Sequence, residues 1–217
     1  MVGRVFSILH RNKQQKWSDF MTNDCFIGPD GQCVSNLVVT EFQILDWIAT
    51  LHNGFLDAIL PVISSFGDKG IGWIILSVIL LFIPRYRKAG LAMALALIFC
   101  LLIGNITLKP LIARPRPYSY FPEMQLMIPP LADFSFPSGH TFASFASATA
   151  LYLYHHKEGL AAYLLAAVIA FSRMYFYVHF PTDILAGIIL GIASGFTACR
   201  LINWYQHRYQ PQWLKLR

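Results

Sequence analysis

The chain has 217 residues, of which 56% are hydrophobic and only 13% are charged, whereas an ordinary soluble domain carries about 25% charged residues. This composition excludes a typical soluble protein and is typical of an integral membrane protein. The formal net charge of +6 does not indicate a nucleic-acid partner, because no nucleic-acid-binding motif is present. It fits contact with anionic lipids and orientation in a bilayer.

Residues 1–40 are the polar part of the chain, and we expect a cytoplasmic N-terminal segment there. Residues 41–52 follow with a helical periodicity that predicts an amphipathic helix at the membrane interface. The apolar residues that would share one face are Ile44, Trp47, Ile48 and Leu51. Residues 55–67 then form a short, imperfect span that carries Asp57.

Five clearer apolar runs follow, at residues 70–84, 89–108, 141–154, 159–178 and 184–199. The run 89–108 is uncharged over 20 residues, which matches the roughly 20 that an α-helix needs to cross a bilayer. Ala, Gly and Ser are frequent in the last three runs, as expected where helices pack closely in lipid.

Together these runs predict an all-α fold, a polytopic membrane bundle of about six transmembrane helices. Residues 41–205 form the membrane-integral domain in this interpretation, and residues 206–217 form a basic cytoplasmic tail. We expect the protein to be a multi-pass component of the plasma membrane, with both termini in the cytoplasm.

The distribution of Lys and Arg supports this orientation. With the N-terminus inside, 12 of the 17 Lys and Arg residues lie on the cytoplasmic side, which is the side that cations prefer. The other five are Lys69, Lys109, Arg114, Arg116 and Arg173. Three of these five belong to sequence blocks with a chemical role, which leaves Lys69 and Arg114 unexplained.

The first block is Lys109-x6-Arg116-Pro117. Pro110 predicts that the preceding helix ends at Lys109, and the prolines on either side of Arg116 make its loop stiff. Phosphoryl transfer needs fixed positive charge around the phosphate oxygens. Anchoring at the membrane interface is the alternative role for these cations, but it would place them on the disfavoured side.

The second block is Pro137-Ser138-Gly139-His140, which opens the run 141–154. The N-terminus of a helix presents free backbone N–H groups and binds anions. Gly139 lets the backbone approach a phosphate closely, and His140 is placed to protonate a leaving oxygen. A helix cap with an interfacial histidine is the alternative.

The third block is Ser172-Arg173-x5-His179-x3-Asp183. Arg173 interrupts an apolar run, where a charge needs a partner or a function. A carboxylate beside an imidazole fixes its tautomer, so that Asp183 leaves the other ring nitrogen of His179 free to attack phosphorus. A structural Arg–Asp pair with an uninvolved histidine is the alternative. All three blocks fall on one side of the membrane, opposite to the cationic side.

The three blocks match, position by position, the signature of the type 2 phosphatidic acid phosphatase and vanadium haloperoxidase superfamily. The resemblance covers about residues 105–187, and the surrounding spans resemble the membrane-integral bacterial lipid phosphatases of that family. It implies that His179 is the nucleophile that forms a phosphohistidine, that Asp183 orients it, and that His140 is the general acid. The phosphate would be held by Lys109, Arg116, Ser138, Gly139 and Arg173.

These features predict a lipid phosphatase with its active site at the extracytoplasmic membrane interface. The expected substrates are undecaprenyl diphosphate first, with phosphatidylglycerophosphate or phosphatidic acid close behind. We expect no cofactor, because the sequence offers no His/Asp/Glu cluster at metal-ligand spacing and the resembling phosphatases use no metal. A non-enzymatic lipid-phosphate carrier is the main alternative, and a vanadate-dependent haloperoxidase is a remote one. The oligomeric state is left open.

Overall fold

The structure is a computed structural model that describes residues 35–209, and its regular elements over that range are helices. The α-helices are α1 (Asn36–Ala49), α2 (Gly54–Ser65), α3 (Ile71–Phe82), α4 (Arg87–Phe99), α5 (Lys109–Ile112), α6 (Gly139–Tyr154), α7 (His156–Tyr175) and α8 (Pro181–Tyr209). A π-helical segment, Cys100–Leu108, joins α4 to α5 without a break. The predicted all-α class is confirmed.

Four helical stretches of the described chain are long and apolar enough to cross a membrane: Gly54–Phe82, Pro84–Tyr120, His156–Tyr175 and Pro181–Tyr209. They turn large apolar side chains outward, including Ile71, Ile75, Phe82, Leu164 and Ile189. Such a surface is stable in lipid and costly in water. The prediction of a polytopic membrane bundle is therefore confirmed.

The number of about six spans stays a prediction. Residues 55–67 and 70–84 lie in one helical stretch, which bends where Lys69 (φ 51°) and Gly70 (φ 72°) adopt left-handed conformations. α6 has only 16 residues, which is short for a membrane-crossing helix.

Helix α6 lies at the centre of the bundle and packs closely against α8. Gly187, Gly191 and Gly195 recur every four residues along the facing side of α8, and a Cβ atom added at Gly191 would lie 2.9 Å from the carbonyl oxygen of Phe142. Only small residues allow two helix backbones this close. The packing role expected for small residues in these runs is thus confirmed, and it fixes the start of α6 beside the start of α8.

The bundle has two distinct ends. At one end, the connection before α4 meets the connection before α7, where the Tyr86 hydroxyl donates a hydrogen bond to Glu158 Oε1 at 2.8 Å. At the other end lie the end of α5, the start of α6, the end of α7 and the start of α8. All three sequence blocks fall at this second end, which we call the site end.

Helices α1 and α2 also lie at the site end. Glu41 of α1 pairs with Arg114, and the two ends of α2 contact residues only two positions apart in α7, through Asp57 with Tyr175 and Ser64 with Arg173. Helix α1 begins at Asn36, inside the predicted N-terminal segment 1–40, and the cytoplasmic location of that segment stays a prediction. Residues 1–34 lie outside the described range.

Helix α1 is apolar on two faces, and this explains a difference from the predicted periodicity. Phe42, Leu45 and Ile48 are buried against the bundle, whereas Ile44, Trp47 and Leu51 remain exposed. Only Ile48 of the predicted apolar set faces the protein. The exposed side suits the membrane interface that the sequence predicts for this helix.

The helix before the first block runs further than predicted. It passes through Pro110 and ends at Ala113, whose φ is 49° and whose N–H donates to the Lys109 carbonyl at 2.9 Å. Pro110 lies where the π-helical segment passes into α5, and the helix continues through it although proline has no N–H to donate.

Candidate active site

The three sequence blocks converge at the site end into one buried pocket. Arg116 of the first block donates from Nη1 to His179 Nε2 of the third, at 3.1 Å. A Cβ atom added at Gly139 of the second block would lie 3.7 Å from Lys109 Nζ. The geometry therefore joins residues from all three blocks.

His179 and Asp183 form a dyad held by the loop between α7 and α8. His179 Nδ1 faces Asp183 Oδ2 at 3.6 Å, and the same oxygen accepts hydrogen bonds from the Phe180 N–H at 2.9 Å and the Ser135 hydroxyl at 2.5 Å. Since Nε2 accepts from Arg116, the proton of the neutral ring belongs on Nδ1. The lone pair of Nε2 then points toward the Arg116 guanidinium, and an unprotonated ring nitrogen is what a nucleophile requires.

The environment keeps this imidazole neutral. Burial lowers the pKa of His179, and the charges of Arg116 and Arg173 lower it further. The hydrogen bond and charge of Asp183 oppose the shift only in part, so that the pKa falls to about 3. At neutral pH the ring is unprotonated and its nucleophilic nitrogen is available.

Arg173 is the most deeply buried cation of the site, with 2% of its surface exposed. Its Nη1 donates to the Ser64 hydroxyl at 2.8 Å. Its Nε and Nη2 have no hydrogen-bond partner among the described residues. Because a buried charged donor without a partner is costly, this guanidinium is arranged to receive an anion.

Lys109 and Arg116 share an acidic residue that sequence reasoning missed. The carboxylate of Asp133 bridges Lys109 Nζ and Arg116 Nη2, although 51% of its side chain is exposed. Burial raises the pKa of Asp133, but the hydrogen bond and charge of Lys109, together with Arg116, outweigh it and lower the pKa to about 2. The two cations are therefore oriented by a carboxylate that stays ionised.

The second block forms the first turn of α6. Ser138 is the N-cap residue, and its hydroxyl accepts from the Thr141 N–H at 3.4 Å, so its side chain acts here as a helix cap. The N–H of Ser138 donates to the Asp183 carbonyl at 3.2 Å. His140 Nε2 bonds Asp68 Oδ1 at 2.8 Å. The second block is thus joined to the third directly and to the turn before α3 through His140.

Arg114, unexplained by the sequence, proves to be the support of the dyad. Its Nη1 donates to Asp183 Oδ1 at 2.6 Å, and its Nη2 donates to Glu41 Oε2 at 2.5 Å. Glu41 is buried and also accepts from the Thr182 N–H at 3.0 Å. Arg114 stands in the run Arg114-Pro115-Arg116-Pro117, and this run was a local signal in the sequence. Its partner Glu41 lies 73 positions away and carried no such signal.

Chemically, the pocket combines an unprotonated imidazole, a second histidine and three cations. This set can grip a phosphate, attack it and protonate its leaving group. Within residues 35–209, no three His, Cys, Asp or Glu side chains group as metal ligands.

Comparison with known proteins gives the class. Residues 71–207 match the family described as the PAP2 superfamily. The chain is 28% identical over 166 residues to an undecaprenyl-diphosphatase of Sulfolobus acidocaldarius, covering 75% of this chain and 77% of that one. It is 30% identical over 145 residues to the undecaprenyl-diphosphatase BcrC of Bacillus subtilis strain 168, covering 67% and 74%.

A solved structure shares the fold. The transmembrane PAP2-type phosphatidylglycerolphosphate phosphatase of Bacillus subtilis aligns with a TM-score of 0.62 and 24% identity, over 81% of this chain and 89% of that one. The fold and pocket thus define a membrane-integral hydrolase of phosphoester or diphosphate bonds. The chain belongs to the PAP2 superfamily and is a membrane lipid phosphatase of that family.

Proposed function

We propose that the protein removes phosphate from a lipid pyrophosphate or phosphomonoester by double displacement through His179. The observation that carries this proposal is the buried Arg173, whose Nε and Nη2 have no partner among the described residues and whose charge acts on the ring of His179. A phosphate bound beside His179 supplies the acceptors that this guanidinium lacks.

In the proposed reaction, each group has one task. His179 Nε2 attacks phosphorus while Asp183 stabilises the positive charge that develops on the ring. Lys109, Arg116 and Arg173 bind the phosphate oxygens, together with the Ser138 side chain and the backbone N–H of Gly139. His140 protonates the leaving oxygen, and water then hydrolyses the phosphohistidine. No metal takes part in this scheme, since the cations supply the positive charge.

We infer undecaprenyl diphosphate as the preferred substrate. Two relatives carry that substrate in their names, and a site on the outer face meets the lipid where it is released. Phosphatidylglycerophosphate and phosphatidic acid are the next candidates. The decisive experiment measures phosphate release from this panel of lipids by purified protein, with and without excess EDTA.

Release of phosphate by wild-type protein, in the presence of EDTA, supports the proposal. Full inhibition by EDTA that Mg²⁺ reverses would contradict the metal-free scheme. Tight binding of the lipids without any release would instead make the protein a carrier.

We also propose that the site end faces the extracytoplasmic side. The described cations at the opposite end are Arg85, Arg87, Lys88, Lys157, Arg200 and Arg208. At the site end, Lys69 is the only described Lys or Arg without a contact to the pocket or its support. Cations are retained on the cytoplasmic side of membranes, so that the opposite end belongs inside.

Cysteine labelling tests this orientation. Glu123→Cys, in the exposed part of the 118–135 loop, should react with an impermeant maleimide on intact cells, whereas Lys157→Cys should react only after the cells are opened. Cys25 and Cys33 should first be replaced by serine, since Cys100 and Cys199 are already buried. Labelling of Lys157→Cys but not Glu123→Cys on intact cells would reverse the proposed topology.

The loop between the first two blocks offers a place for the lipid tail. Its residues between Tyr118 and Pro130 line a cavity of about 590 Å³, largely apolar, with Met124, Leu126 and Met127 in its wall. Tyr118 stands two residues after Arg116, and its hydroxyl donates to the Leu131 carbonyl at 2.9 Å. This bond joins the two ends of the loop, two residues after Arg116 and two residues before Asp133.

Changing Met124, Leu126 and Met127 together to serine should lower kcat/KM for long-chain lipid phosphates by roughly 10-fold. This corresponds to lost contact with about two methylene groups, at about 0.8 kcal/mol each. Activity on a water-soluble phosphomonoester, measured on the same preparation, should change little. Equal losses on both substrates would show that the loop only supports the fold.

A further inference from the structure

The turn between α2 and α3 is built against the ring of His140. A Cβ atom added at Gly67 would lie 2.9 Å from His140 Cδ2, so only glycine allows this approach. The next residue, Asp68, places Oδ1 at 2.8 Å from His140 Nε2. Lys69 then adopts φ 51°, a left-handed conformation that costs a non-glycine residue free energy. Such local strain is commonly kept where a side chain must be aimed.

The charges around His140 explain what such a carboxylate would do. Burial lowers the pKa of His140, and the charges of Arg173 and Lys109 lower it further, whereas the hydrogen bond and charge of Asp68 oppose the shift in part, so that the pKa falls to about 4. A histidine surrounded only by cations has no proton to give. A general acid in this pocket therefore needs a counter-charge, and Asp68 is the carboxylate that bonds it.

We propose that Asp68, which lies outside all three sequence blocks, is the positioning residue of the general acid. The inference rests on the proposed function, in which His140 protonates the leaving group. The bond from Nε2–H to Asp68 leaves Nδ1–H to face the substrate. As His179 Nε2 bonds to phosphorus, the bond from phosphorus to the leaving oxygen breaks and that oxygen takes the Nδ1 proton. Neutral His140 then receives a proton from the water that hydrolyses the phosphohistidine.

The site would thus hold two carboxylate–imidazole dyads with opposite tasks. Asp183 holds the ring that attacks, and Asp68 holds the ring that gives the proton. The two carboxylates also differ in exposure, because Asp183 is fully buried whereas 60% of the Asp68 side chain is exposed.

The test is the dependence of the rate on the leaving group. Asp68→Asn should lower kcat/KM for an alkyl phosphate, which needs a proton on its leaving oxygen, by roughly 30-fold. This is less than the about 10²–10⁴-fold that a general acid itself contributes, because His140 remains in place. The loss on p-nitrophenyl phosphate, whose leaving group departs as an anion, should stay below about 3-fold. A residue with only a structural role would reduce both rates equally.

The chain offers a matched control. Asp57 forms another Asp–His pair at the same end, with its Oδ1 at 3.0 Å from His52 Nδ1, but it contacts none of the proposed catalytic groups. Asp57→Asn should show no difference between the two substrates. If Asp68→Asn does not fold, Asp68→Glu and Gly67→Ala displace the carboxylate or the ring and should show the same leaving-group pattern.

The outcomes separate the two levels of the proposal. If His140→Ala shows the leaving-group dependence and Asp68→Asn does not, the role of Asp68 is overturned while the proposed function stands. If His140→Ala loses activity equally on both substrates, His140 is not the general acid. Both the role of Asp68 and the proposed function of His140 are then contradicted. Equal losses in Asp68→Asn on both substrates would also overturn the role of Asp68.

Discussion

Replacing His179 by alanine should abolish phosphate release, with a loss of at least ~10³-fold in kcat, because no covalent intermediate can form. The side chain is buried, with Nε2 bonded to Arg116 and Nδ1 facing Asp183. No other described histidine has that combination of contacts. Lipid phosphatase activity of the purified variant is the measurement, and acid-labile phosphate bound to wild-type protein should be missing in the variant.

His155→Ala is the matched control for this variant. That histidine lies at the opposite end of the bundle, with its ring 4.3 Å from the ring of Tyr86, and its loss should leave turnover within about twofold of wild type, as for most substitutions away from a site. Retention of more than about a tenth of wild-type activity by His179→Ala would rule out the covalent mechanism.

Replacing Arg114 by methionine should lower kcat by roughly 10²-fold, although Arg114 is not expected to touch the substrate. The change removes a donor from Asp183 and leaves Glu41 as a buried carboxylate without its cation. Loss of one partner from a buried ion pair costs about 3–5 kcal/mol of stability. The variant should therefore also melt at a lower temperature, which thermal unfolding in detergent will measure.

A double variant separates the two effects of Arg114. Adding Glu41→Gln to Arg114→Met removes the orphaned charge, so that the melting temperature should recover in part while kcat stays low. Arg85→Met, at the opposite end, controls for the loss of one cation. Full recovery of kcat in the double variant would mean that Arg114 acts on the fold and not on the Asp183–His179 dyad.

The parts of the site that the sequence predicted are those whose spacing is local. His179 and Asp183 are four residues apart across the start of α8, so their pairing follows from their closeness in the chain. Gly139 and Ser138 were recognisable because a cap and a glycine precede an apolar helix. The assembly of these blocks in one pocket followed from placing them on one side of the membrane, and the contact of Arg116 with His179 agrees with it.

The parts of the site that the sequence did not predict depend on contacts between segments that are distant in the chain. Glu41 lies 141 positions from Thr182, and Asp68 lies 72 positions from His140, so neither carboxylate carries a local signal. The orientation of α1 was hidden for another reason. Its apolar residues occupy two faces, and periodicity alone does not say that Phe42 and Leu45 face the protein while Trp47 does not.

If Lys109 and Arg116 bind phosphate as proposed, the carboxylate of Asp133 makes that binding an exchange between two anions. The positive charges of Lys109 and Arg116 are already paired with this carboxylate. An incoming phosphate therefore has to displace a carboxylate that belongs to the same chain, and it does not meet unpaired cations. A tethered group acts at high effective concentration and returns each time the pocket empties. Free phosphate therefore gains less binding free energy from these two cations than their charges suggest. A substrate that also makes apolar contacts gains additional binding free energy and is favoured over free phosphate.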